Sequence, residues 1–178
     1  MHGLIFAGLR DFLVSHLDQE QADSVFASGP PYLMSAAYSD DEFLQLVERG
    51  RALSGEPLVE FLRSFGSFTG ATTFPRLYPA FYEIAGNSRT FLLTVESRIH
   101  ELVRATIPDA TPPRLRIEAT SDGLRIVYDS PRRLCAFLEG LVSGTAAYFG
   151  EPVEVSESTC VQRGDAACVF AVAFPATV

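Results

Sequence analysis

Residues 91–113 read FLLTVESRIHELVRATIPDATPP, and the rest of the chain can be placed relative to them. The stretch holds His100, the one histidine in the middle of the chain, and it stops at a proline-rich turn. At about 100° per residue, Leu93, Val103 and Ile107 fall within about 60° of His100. Leu92, Val95 and Ile99 continue the same apolar stripe to one side. The spacing predicts a helix with His100 at the edge of its buried face. Two roles are open to such a ring: a half-buried group bonded to a backbone carbonyl, or a ligand to a metal or cofactor.

A chain of 178 residues is most simply one domain, able to bury about 70% of its unfolded surface. Hydrophobic residues make up 47% of it, with 14 Phe, 6 Tyr and no Trp. That interior can line a cavity as readily as fill one. The net charge of −8 argues against a nucleic-acid groove, which needs a basic stripe. An acidic surface does suit docking to a basic patch on a partner. The opening MHGLIFAGLRDFL lacks the basic region, long apolar core and cleavage site of a signal peptide. No apolar run reaches the roughly 18 residues that span a bilayer. Three cysteines, an odd number, argue against a disulfide framework. The expectation is a cytoplasmic protein without a membrane partner.

Taken in order, residues 3–17 and 19–27 predict two helices, the second ended by Ser28-Gly29-Pro30-Pro31. Ser39-Asp40-Asp41-Glu42 predicts a capped helix running to about Leu53, and Leu58 to about Phe65 predicts another. Residues 66–79, rich in Gly, Thr and Phe, predict a bent or broken helix and then a short turn. After the His100 helix the character changes. Arg114–Thr120 and Leu124–Tyr128 alternate around a Ser121-Asp122-Gly123 turn, which predicts a hairpin. Residues 131–149 predict a helix with Ser130 as cap and Pro131 in its first turn. Val153–Ser158 and Cys168–Phe174 predict a second hairpin around Arg163-Gly164-Asp165. The fold class is α+β: a helical N-terminal part, then antiparallel strands with helices, sharing the His100 helix and leaving a cavity between them.

Three constellations could carry chemistry. Tyr128, Ser130 and Arg132 leave a strand at alternate positions, and together their phenol, hydroxyl and guanidinium would bind carboxylates or phosphates. The same residues also read as a Ser cap beside a surface Arg. Cys135, Cys160 and Cys168 could converge on one zinc, although no Cys-x-x-Cys pair and no nearby histidine complete four ligands. Buried cysteines acting as small hydrophobes fit equally. Finally, an imidazole on one wall and an anion-binding corner beside an apolar cavity are what a haem requires. Two unrelated features on different faces remain the alternative.

The opening MHGLI, His100 followed by DATPPRL, Tyr128-x-Ser130-x-Arg132, and LCAFLEGLVSG with the closing hairpin resemble the haem nitric-oxide/oxygen-binding (H-NOX) family. Its members include the haem domain of soluble guanylate cyclase and stand-alone bacterial gas sensors. The resemblance covers nearly the whole chain. It implies a single haem-binding domain over residues 1–178, with a helical part to about residue 85 and the His100 helix and α+β part from about 86. It implies haem b with His100 as the iron ligand, and Tyr128, Ser130 and Arg132 on the propionates. Pro113 would press on the macrocycle and Ile5 would touch it from the distal side. Phe137 stands where oxygen-binding members place a hydrogen-bonding tyrosine, with Thr69, Thr72 and Thr73 as the remaining hydroxyls to consider. That implies NO and CO over O₂. Cys135, Cys160 and Cys168 match the cysteines of a structural zinc site in some members, with Glu157 where they carry histidine.

The function so implied is gas sensing rather than catalysis. NO weakens the bond between His100 and iron, His100 is released, and the N-terminal helices shift against the C-terminal part. A separate protein, a histidine kinase or a cyclic-nucleotide enzyme, would read the change. Nothing in the chain looks like a catalytic acid–base pair or triad. The alternatives are a haem-free small-molecule binding module and a zinc or thiol redox sensor.

Overall fold

Side-chain acceptors placed just ahead of apolar runs decide where the first three helices begin. His2 Nδ1 accepts the Leu4 N–H at 2.9 Å and opens α1 (Gly3–His16). Asp18 accepts from Gln21 at the start of α2 (Gln19–Phe26), and Ser39 from Asp41 at the start of α3 (Asp40–Ser54). Each bond satisfies a backbone donor that the helix itself leaves free. Gly55, at φ 73°, ends α3 in the left-handed conformation that glycine adopts without penalty. The computed structural model describes residues 1–175, and all that follows concerns these.

The region expected as a bent helix is continuous helix of changing pitch. α4 (Leu58–Phe68) runs through a π-turn at Thr69–Thr73 into α5 (Phe74–Leu77). The turn expected next is a short helix, α6 (Pro79–Ala85). Asn87 then caps α7 (Ser88–Thr94), which passes through a second π-turn, Val95–His100, into α8 (Glu101–Thr106). This π-turn corrects the helical-wheel reading of the opening stretch. The wider turn shifts the register by one position, so Leu93 points outward at 39% exposure while Leu92, Val95, Ile99 and Val103 face inward with His100.

The two hairpins form one antiparallel sheet. β1 (Arg114–Ala119) pairs with β2 (Gly123–Asp129), β2 with β4 (Cys168–Ala173), and β4 with β3 (Glu154–Thr159). The helix between the hairpins, α9 (Cys135–Tyr148), begins four residues later than the Ser130–Pro131 signal predicted. Arg133 has φ 55°, which breaks the helical path, and the Ser130 hydroxyl instead accepts the Arg132 N–H in a tight turn. Side chains of α9 enter both apolar cores. Leu134, Ala136 and Phe137 join the core of α1–α4, and Cys135, Leu138 and Val142 join the core on the sheet. So α9, rather than the His100 helix, is the element common to both.

Glycines let α9 lie directly on α4. A Cβ at Gly140 would stand 2.1 Å from the Arg63 carbonyl oxygen, and one at Gly144 2.0 Å from that of Ser67. Gly66 is under the same restriction against Phe137. The clash is with backbone, so no rotamer change relieves it. Gly140→Ala is therefore expected to cost about 2–3 kcal/mol and lower Tm by roughly 5–10 °C in thermal denaturation; an unchanged Tm would show that the two helices can separate freely.

Candidate functional site

A cavity lies between the two cores and encloses about 1250 Å³ of space, its solvent-open mouth included. One wall is the π-turn with α8, another is β1 and β2, and α1 with α9 closes the third side. The lining is mostly aliphatic and aromatic, as in sites that bury a large planar ligand.

His100 is the titratable group on the first wall. Its side chain is 15% exposed. Its Nδ1 lies 2.7 Å from a carboxylate oxygen of Glu96, one helical step back. The backbone carbonyl partner that a core histidine ordinarily takes is replaced here by a carboxylate. Burial lowers the His100 pKa below its ordinary value, and the Glu96 hydrogen bond opposes this without cancelling it. The ring is thus neutral near pH 7 and able to ligate a metal. Glu96 also pairs with Arg104 and accepts the Leu115 N–H of β1 at 3.2 Å.

Tyr128, Ser130 and Arg132 all reach the cavity, at one corner. Burial raises the Tyr128 pKa, which keeps its phenol protonated, and the phenol oxygen accepts the Leu134 N–H at 3.2 Å. Arg132 donates to the carbonyl and hydroxyl of Thr111 at 2.6 and 2.8 Å. Its Nε lies 2.8 Å from Asp40 at the start of α3, an ion pair without hydrogen-bond alignment. Three of the guanidinium's five N–H groups are thereby directed at protein, and two stay available to an anion. The Met1 amino group contacts the same Asp40 oxygen at 2.8 Å.

Ile5, Pro113 and Phe137 also line the cavity, Phe137 with its ring 4.6 Å from that of Phe65. Thr69, Thr72 and Thr73 are not on its wall. Thr69 instead donates to the Phe65 carbonyl at 2.8 Å within the helix. Besides Thr111, Tyr128 and Ser130, the hydroxyls that do line it are Thr145 and Tyr78, and burial raises the Tyr78 pKa. Sequence reasoning missed both. It also missed Glu96, whose spacing of four from His100 was the available signal.

The three cysteines do converge, behind the cavity. Cys135 and Cys160 have their sulfurs 3.5 Å apart, and Cys160 and Cys168 theirs 3.8 Å apart. Glu157 joins them, with all four ligand atoms within 4.8 Å of one another. One Glu157 oxygen accepts from Arg163 at 2.9 Å, and the other is buried with no partner. Burial pushes the Cys168 thiol up to about 12. A buried orphan carboxylate oxygen beside three sulfurs is the chemistry of a tetrahedral zinc site, so the donor set fits that metal.

The profile of the haem-NO-binding family matches residues 2–157. Among solved structures, the chain is similar to an H-NOX protein from S. oneidensis in the Fe(II)NO ligation state, with 20% identity, a TM-score of 0.90, and 99% of this chain and 100% of that one covered. It is similar to the Fe(II)CO form of the Shewanella oneidensis domain at 21% identity and TM-score 0.88, over 99% and 100% of the two chains. The unliganded Fe(II) H-NOX protein from K. algicida aligns at 22% identity and TM-score 0.84, over 100% and 98%. No curated protein matches the chain. These structures share its α+β fold.

The Asp40 contacts give a test of the anion corner. Burial would raise the Asp40 pKa, but the positive charges of the Met1 amino group and Arg132 beside it outweigh this and hold the carboxyl below its ordinary range. A depressed folded-state pKa adds stability above the ordinary value and loses it as pH falls through the folded one. The side chain is 36% exposed, so solvent screening makes the contribution small. Asp40→Asn should lower Tm at pH 6 and converge with the parent chain near pH 2. Parallel Tm curves across that range would contradict the assignment.

Proposed function

The chain belongs to the haem-NO-binding family of haem-based gas sensors, and from there we propose that it binds haem b and senses nitric oxide, and CO, through His100. The observation that carries this reading is the pairing of a neutral His100, held by one nitrogen, with a donor corner across the same apolar cavity. In this reading His100 holds the iron, and Tyr128, Ser130 and Arg132 hold the propionates. Pro113 and Ile5, which line the same cavity, would pack against the macrocycle. When bound, the haem supplies a ferrous iron that takes up the gas.

The protein's own part follows from where His100 sits. A π-turn holds one residue more per turn than α-helix, so the segment Val95–His100 has a second arrangement close at hand. Release of His100 would let that turn change register and carry α8 and the Pro112–Pro113 segment with it. Contacts made by α1 and α3 at the Arg132–Asp40 corner would then shift. A cytoplasmic histidine kinase or cyclic-nucleotide enzyme with a basic face would read the altered acidic surface.

Phe137 sets the choice of gas. A phenyl ring offers no proton to a polarised bound O₂, whereas NO and CO need none. The ferrous protein is expected to form no lasting oxy complex in air. Phe137→Tyr should strengthen O₂ binding roughly 10-fold or more, as one hydrogen bond is worth. A persistent oxy complex in the parent chain that disappears in Tyr78→Phe would transfer the role to Tyr78 and overturn this reading.

We also assign Cys135, Cys160, Cys168 and Glu157 to one structural zinc ion, supported by the unpartnered Glu157 oxygen. Purified chain should carry one zinc, lost in Cys168→Ala; a zinc-free chain whose thiols titrate freely would favour the redox alternative. For the haem, the Soret band should vanish in His100→Gly and return with added imidazole. If His100→Ala keeps the parent spectrum, another residue ligates the iron.

A further inference from the structure

Glu96 is the acidic side chain in contact with His100, and it is held from three directions. Arg104 of α8 pairs with one of its oxygens. The other oxygen receives both His100 Nδ1, at 2.7 Å, and the Leu115 backbone N–H of β1, at 3.2 Å. Its side chain is 29% exposed and is not part of the cavity lining, whereas His100, at 15%, is. We propose that Glu96 is the positioning residue of His100, fixing the ring's tautomer and orientation and strengthening its bond to the iron. The inference rests on the haem reading above and extends it to a residue outside the stretches that carry the family resemblance.

The chemistry is direct. A carboxylate accepts and cannot donate, so in the neutral ring Nδ1 carries the proton and Nε2 keeps its lone pair. Nε2 is then the one nitrogen able to ligate a metal from the cavity. An anionic acceptor draws the Nδ1 proton further from the ring than a carbonyl would, which makes the imidazole a stronger donor. Because the same carboxylate grips β1, the ring's orientation is tied to the sheet as well as to its own helix. Ligand release at His100 therefore works against a brace that links the π-turn, α8 and β1. Glu96 sets how strong a gas-induced pull must be before His100 lets go.

The test uses the full chain, haem-loaded and haem-free, with Glu96→Gln, Glu96→Ala and Arg104→Ala. In the haem-free chain, ¹⁵N NMR of the His100 ring should show the Nδ1–H tautomer alone, and Glu96→Ala should show a mixture. In the loaded ferrous chain, the iron–histidine stretching frequency should fall from the parent to Glu96→Gln to Glu96→Ala. Haem loss to a scavenger protein should speed up about 10–100-fold in Glu96→Ala, as for other supports of a metal-bound histidine. Arg104→Ala should move these readouts little. A structural staple alone would lower Tm in the Glu96 variants without shifting tautomer or stretch, and that result overturns the proposal. If Glu96→Ala does not fold, Glu96→Gln, which keeps the shape, decides on the same two readouts. A parent chain without any iron–histidine stretch would instead refute the haem-ligand assignment, while the tautomer measurement still judges Glu96.

Discussion

Everything in this fold is referred to the contact between α4 and α9, where backbone meets backbone through glycine. With Gly66, Gly140 and Gly144 on the seam, the two helices approach too closely for any Cβ. That closeness puts Phe137 against Phe65 and sends the next residues of α9 into the opposite core. The helical layer and the sheet layer are thus fixed to one rod, and the space left between them is the cavity. Close-packed interiors of this kind move between discrete arrangements more readily than they deform. A signal generated in the cavity has a rigid reference to act against.

Around that space the polar groups divide the work. His100, Glu96 and Arg104 form a hydrogen-bonded chain that starts at the first wall and is tied to β1 through Leu115. Arg132 forms the second, tied to Asp40 at the head of α3 and to Thr111 beside the Pro-Pro turn. Apolar side chains separate the two. A ligand with a metal at its centre and carboxylates at its edge would engage both at once, and its loss or movement would be felt in α3, α8 and β1 together.

Much of this was legible in the residues. The cap at Ser39, the Ser121-Asp122-Gly123 turn and the alternation of β1 and β2 act locally, so sequence reports them well. The α+β class and the site motif Tyr128-x-Ser130-x-Arg132 followed. What stayed hidden was non-local. The π-turns at Thr69–Thr73 and Val95–His100 come from packing rather than propensity, and they moved Leu93 outward against the helical wheel. The late start of α9 depends on the positive φ of Arg133, a residue with no intrinsic preference for it. The place of Glu157 among the cysteines was anticipated only through the family resemblance, because bringing it there depends on the β3–β4 register and its irregularity after Glu157.

The central claim is that His100 holds the iron and lets go when NO arrives. The most direct measurement is electron paramagnetic resonance of the ferrous nitrosyl protein made with ¹⁵N-labelled histidine and unlabelled NO. The account predicts hyperfine splitting from the nitrosyl nitrogen alone, with no histidine contribution. A further splitting that changes with the histidine label would show that His100 stays bound, and would contradict it.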